Sequence, residues 1–305
     1  MLRLSEQQRS WLRWVFTGPN GIRAGWSILI FAAVIAAATG ALQLVLYLIH
    51  FKKPQAALSA GFLILAELIS IATVLGANAV MARIEKRSIW SYGLTGPNRL
   101  ANFLLGCAGG FISLCLVIVL LWAGGYIVFD GVALRGVAAL SYGAVSLFGF
   151  FLVGVAEETI FRGYLLSTLG RGIGFWPAAL LLSLLFAAAH IHNIGENALG
   201  IAQVVLGGLI FCLLLRVTGS LWLSIGFHTT WDWGQSFFYG TPDSALLMQG
   251  HLLSTHPAGD PRFSGGAVGP EGSVLAPIGL IIIPLLLVWI CRRMGLTTKT
   301  STALL

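Results

Sequence analysis

The stretch FGFFLVGVAEETIFR, Phe148 to Arg162, decides how this chain is read. An apolar run from Phe148 to Val155 meets two adjacent glutamates, Glu157 and Glu158, and Arg162 follows one helical turn later. Each ionised side chain at the centre of a membrane helix costs about 2.5–3.5 kcal/mol on insertion scales, so such a cluster is retained for function or for pairing. Residues four apart share a helix face, which predicts an ion pair between Glu158 and Arg162. Glu157, about 100° round the helix, is left free to point elsewhere.

The rest of the chain supplies the membrane. Of the 305 residues, 57% are hydrophobic and 10% charged, with a mean hydropathy of +0.88, outside the range of soluble domains. Apolar stretches run over residues 26–49, 57–82, 103–123, 142–169, 175–191, 199–215, 221–238 and 274–290. Each is near or above the length that crosses the hydrocarbon core, and all are too evenly apolar for the alternating strands of a barrel. The expectation is an all-α, polytopic transmembrane bundle of about eight spans. No internal repeat suggests the inverted halves of a transporter.

Basic residues orient it. Fourteen of the eighteen Lys and Arg fall on one side of that topology, against Lys52, Lys53, Arg135 and Arg262 on the other, so both termini are expected to be cytoplasmic. The net charge of +7 is then a record of topology and gives no reason to invoke nucleic acid. Residues 1–24 are expected to form an amphipathic segment on the inner leaflet, with Leu4, Trp11, Leu12 and Val15 on one face and Ser5 and Gln8 as a capping pair. That segment is too long, and the first apolar run too extended, for a cleaved secretory signal. Residues 25–292 make one transmembrane domain, and 293–305 a cytoplasmic tail. The long connection at 240–273, rich in Gly, Pro, Ser, Asp and His, reads as a non-cytoplasmic functional loop or partly re-entrant lid, or else as a disordered connector. Cys107, Cys115, Cys212 and Cys291 lie in or at the end of apolar spans without paired spacing and read as packing residues.

Function must come from the intramembrane polar groups. His190 ends a helix face begun by Phe186, and His228 and Asp232, four apart, share a face of the seventh span. Counted along their helices from the cytoplasmic ends, Glu157, His190 and His228 lie at depths of about 18, 23 and 14 Å, so they can meet in one cavity. A carboxylate with two imidazoles in a wet pocket suits hydrolysis: Glu157 activates water, His190 helps to orient it, and His228 donates to the carbonyl oxygen.

These residues resemble a known family. Glu157, Glu158, Thr159, Ile160, Phe161 and Arg162 match the E-E-x-x-x-R motif of the CAAX prenyl protease and bacteriocin-processing family, also called the type II CAAX endopeptidase or abortive-infection family. Phe186 to His190 resembles its F-x-x-x-H motif, and His228 to Asp232 its third, H-x-x-x-N or D. The resemblance covers residues 142–239. It implies a glutamate-dependent intramembrane endopeptidase with Glu157 and His190 at the water, Glu158 and Arg162 in support, and His228 and Asp232 where the family places its oxyanion hole. Asp232 departs from the commoner Asn; an ionised carboxylate accepts and does not donate, so orientation of His228 is the favoured role.

The expected partners are a peptide or protein substrate and the lipid bilayer, with no cofactor. Zinc on Glu157, His190 and His228 is the rival mechanism, although no H-E-x-x-H pair is present and His190 and His192 point in different directions. A proton-coupled transporter or a nonproteolytic scaffold would also retain buried carboxylates. The basic features, the compact loops and the want of an organelle signal resemble the bacterial members, which implies a bacterial plasma membrane and substrates that need not be prenylated.

Overall fold

A computed structural model describes residues 14–18, 21–51, 58–193 and 195–297. Most of the amphipathic segment expected at 1–24, Lys52 and Lys53, and the end of the tail lie outside the described residues. Each apolar stretch is helical. The elements are α1 (Ala24–Leu48), α2 (Ala60–Glu85), α3 (Arg99–Ala123), α4 (Gly136–Glu158), α5 (Leu166–Ile173), α6 (Phe175–His190), α7 (Ala198–Thr218), α8 (Trp222–Trp233) and α9 (Ala276–Arg293). Six helices, with α4 and α5 joined as one of 38 residues, are long and apolar enough to cross a membrane. The fifth and seventh expected spans are shorter, since α6 has 16 residues and α8 has 12 before a π turn extends it. The chain is a polytopic helical membrane protein.

Local chemistry sets several ends. Ser59 Oγ accepts from Phe62 N at the start of α2, and Asn197 Oδ1 accepts from Leu199 N and Gly200 N at the start of α7, each meeting amides that have no partner within the helix. Gly219 closes α7 in the left-handed region at φ 67°, where a side chain would be strained.

Two π-helical segments interrupt the bundle. Thr159–Leu165 joins α4 to α5 and contains Gly163 at ψ −107°, while Gly234–Tyr239 continues α8. Each begins within two residues of a motif, directly after Glu158 and two residues after Asp232. Such bulges re-aim side chains and are frequent at functional sites.

The centre is the packing of α3 against α8. A Cβ on Gly106 would collide with the Leu223 carbonyl, one on Gly110 with that of Phe227, and one on Gly226 with that of Phe103. Small residues on both helices let the backbones approach closely, the usual means of association where lipid removes the hydrophobic drive. Leu114, Val117, Leu214, Leu223, Phe227 and Leu280 bury against one another around this seam. By contrast, the most apolar window of α1 is only 6% buried, so that helix leaves most of its surface uncovered by the rest of the described bundle.

A small sheet lies at the end of the bundle where α3, α6 and α8 finish. β1 (Ile127–Val132) pairs antiparallel with β2 (Leu253–Pro257), with an irregularity between Phe129 and Gly131, and Leu58 bridges Met248. The connection at 240–273 is therefore folded against the helices and is not a disordered connector. The Cys residues are all free thiols, with Cys212 and Cys291 buried.

Candidate active site

The i, i+4 spacing of Glu158 and Arg162 produces the expected pair: Arg162 Nη1 donates to Glu158 Oε1 at 3.2 Å, with both side chains fully buried. The same oxygen accepts from His228 Nδ1 at 3.1 Å. One carboxylate thus ties a cation of the π segment to an imidazole on α8. A buried pair of this kind needs further neighbours to offset desolvation, and aromatic faces supply them. The Arg162 guanidinium lies 4.4 Å from the Phe186 ring centre, 5.5 Å from Phe211 and 5.7 Å from Phe161. Gly208 gives it room, since a Cβ there would lie 2.9 Å from Arg162 Nη2.

Phe186, the first residue of the second motif, links three charged or titratable groups. It covers Arg162, meets the His190 ring edge-on at 4.8 Å and faces His228 at 6.3 Å. Its carbonyl also accepts from His190 Nδ1 at 2.8 Å. A carbonyl only accepts, so that nitrogen carries a proton, and in the neutral imidazole Nε2 then offers its lone pair to a water molecule.

His228 is the most surrounded group. Its Nδ1 meets Glu158, while its Nε2 lies 3.4 Å from Asp232 Oδ2 and 3.7 Å from Glu157 Oε2. Phe211 stacks on the ring at 4.9 Å and 27°. An imidazole facing carboxylates through both nitrogens donates to both only as the imidazolium. The Glu157 side chain is 29% exposed, whereas that of Glu158 is fully buried, so the adjacent glutamates face different surroundings, as their helical offset predicts.

Glu157, His190, His228 and Asp232 line one cavity of about 170 Å³, walled also by Phe186 and Phe211. That volume admits several waters and is polar enough to hold them. Glu158 and Arg162 stand behind its wall. His192 is exposed and does not line it.

Three further carboxylates in the cavity were not singled out by the sequence reading: Glu67 from α2, and Asp243 and Glu271 from the covering loop. Glu67 did carry a signal, a lone acid within an apolar run. The loop residues had none, because only the tertiary fold brings them back. Glu271 Oε1 accepts from Trp231 Nε1 at 2.6 Å and from Gln235 Nε2 at 3.1 Å, and its Oε2 from Ser244 Oγ at 2.7 Å. Gln235 also donates to Asp243 Oδ1 at 3.2 Å, and burial pushes the Asp243 carboxyl well above the usual carboxylate range. These bonds fasten the loop to α8 next to Asp232.

Among the described residues, no group of three or more His, Cys, Asp and Glu side chains is arranged to hold a metal ion.

No curated protein matches the chain. Residues 139–234, just under a third of it, match the family model described as type II CAAX prenyl endopeptidase Rce1-like. All three motifs fall within that segment. Over residues 139–234 the chain is therefore similar to the Rce1-like type II CAAX prenyl endopeptidases.

Proposed function

We propose that this protein is an intramembrane, glutamate-dependent endopeptidase that hydrolyses peptide bonds near the membrane interface without a metal. The observation that carries the reading is the meeting of Glu157, His190, His228 and Asp232, from three helices, in one cavity of about 170 Å³. Glu157 takes a proton from a water held between it and His190 Nε2. The resulting hydroxide attacks the scissile carbonyl, and the oxyanion receives a hydrogen bond from His228 Nε2. Glu157 then returns the proton to the leaving amine as the C–N bond breaks, which completes the addition of water.

Glu158 serves as the positioning residue, since its bond to His228 Nδ1 sets the ring so that Nε2 faces the cavity. Asp232, 3.4 Å from that nitrogen, orients the ring further. Arg162 anchors Glu158 through their 3.2 Å pair. In this reading both termini and the α5 end of the bundle are cytoplasmic, the loop at 240–273 covers the opposite end, and the membrane is a bacterial plasma membrane.

The test is cleavage of a peptide library by the purified protein in lipid. Glu157→Gln keeps the shape and removes the base, so turnover should fall by at least about 10²-fold while the protein stays folded. Turnover within tenfold of wild type would remove Glu157 from the role of base.

A further inference from the structure

Five of the chain's eleven Asp and Glu residues line this single cavity: Glu67, Glu157, Asp232, Asp243 and Glu271. Among the described residues no Lys or Arg lines it, in a chain of net charge +7. Most of these carboxylates already have company. Asp232 and Glu157 face His228, Asp243 accepts from Gln235, and Glu271 accepts from Trp231, Gln235 and Ser244. Glu67 is different, with no hydrogen bond or ion pair to any described residue. An unpaired carboxylate on a membrane helix is costly, and it is retained where something else supplies the counter-charge.

A second, independent feature points the same way. Gln203, from α7, lines the cavity at 7% exposure, and its Oε1 is buried without a partner. Ser236, from the π turn after α8, is 2% exposed and its Oγ is likewise unmet. A buried acceptor left unpaired forfeits its hydrogen bond to water without replacement. The cavity thus holds an unmet carboxylate and an unmet amide oxygen, both of which call for a donor.

We propose that the cavity selects peptide substrates carrying a cationic group, a Lys or Arg side chain or a free amine, close to the scissile bond, with Glu67 receiving the cation and Gln203 Oε1 accepting a further N–H. The inference rests on the endopeptidase reading above and specifies its substrate class. An ammonium offers three donors and a guanidinium five, with no acceptor to conflict with the walls. A substrate presenting a carboxylate at the same place would meet like charge on several sides, which discriminates against it.

The test uses three fluorogenic peptide series, identical except that Lys, norleucine or Glu is walked through the positions flanking the cleaved bond. Wild-type protein, Glu67→Gln and Glu67→Lys are assayed in vesicles of zwitterionic lipid, and binding of the same labelled peptides is read by anisotropy. At one position kcat/KM for Lys should exceed that for Glu by about tenfold or more, corresponding to about 1.4 kcal/mol. Glu67→Gln should bring the ratio close to one and Glu67→Lys should invert it. Asp130→Asn, which changes an exposed acid paired with His256 on β1 outside the cavity, should leave the ratio as it was.

Efficient cleavage with no charge discrimination, or discrimination that survives Glu67→Gln, overturns the inference and leaves the endopeptidase reading intact. Absence of cleavage with a binding preference for Lys that Glu67→Gln abolishes removes the endopeptidase reading and keeps the cationic site.

Discussion

Glu158 Oε1 accepts a hydrogen bond of 3.1 Å from His228 Nδ1, joining α4 to α8 across 70 positions of chain. Because Arg162 donates to the same oxygen, the carboxylate is at once a structural tie and the group that sets the imidazole. Its neighbour Glu157 is partly exposed and makes no such tie to Arg162. The two adjacent glutamates should therefore fail differently when their charge is removed.

Glu158→Gln leaves a fully buried guanidinium without its counter-ion. Breaking a buried pair by removing one partner destabilises by about 3–5 kcal/mol. The expected outcome is a lower thermal midpoint and a smaller folded yield in lipid, with loss of turnover as a consequence. Glu157→Gln should keep the wild-type midpoint. Equal thermal midpoints for the two variants would show that Glu158 is no more structural than Glu157.

The seam between α3 and α8 gives a test that acts through packing. A side chain on Gly226 would run into the Phe103 carbonyl backbone, and His228 sits two residues further along α8. Gly226→Val should push the helices apart, lowering folded yield and displacing the imidazole, with Gly226→Ala intermediate. Size-exclusion profiles and thermal midpoints measure this, and a monodisperse Val variant with wild-type turnover would mean that the close approach is not needed.

Much of this site was readable from helical periodicity, and the part that was not has a common cause. The Glu158–Arg162 pair follows from a spacing of four, and the divergence of Glu157 follows from the 100° step between neighbours. The bond from Glu158 to His228 does not follow, because which faces of α4 and α8 meet depends on where the small residues Gly106, Gly110, Gly154 and Gly226 allow backbones to approach. Phe211, stacked on His228, is indistinguishable in sequence from any other apolar residue of its span. The β1–β2 pair was missed because its strands are five and six residues long and more than 100 positions apart. Glu67 carried a signal, a single acid in an apolar run, that the denser cluster at Glu157 overshadowed.

Metal dependence separates two versions of the proposed chemistry. With Glu157 and His190 as the groups that activate water, chelators should leave turnover unchanged, and elemental analysis of the purified protein should find less zinc than one atom per chain. Inactivation by a chelator, reversed by added zinc, would establish the metal version, in which ligand deprotonation makes activity depend on pH through metal affinity.

Asp232 stands where the resembling family more commonly has Asn, and its Oδ2 lies 3.4 Å from His228 Nε2. Two roles give opposite outcomes for Asp232→Asn. If the carboxylate orients His228 and balances its charge, the amide withdraws the negative charge that favours the imidazolium, so the alkaline limb of turnover moves to lower pH. If Asp232 instead donates to the oxyanion as a neutral acid, the amide supplies a donor at every pH and the limb moves up. The close approach of Oδ2 to the ring nitrogen favours the first outcome. The measurement is kcat/KM against pH for both proteins at matched lipid composition, with a rising limb contradicting orientation and an unchanged profile removing Asp232 from both roles.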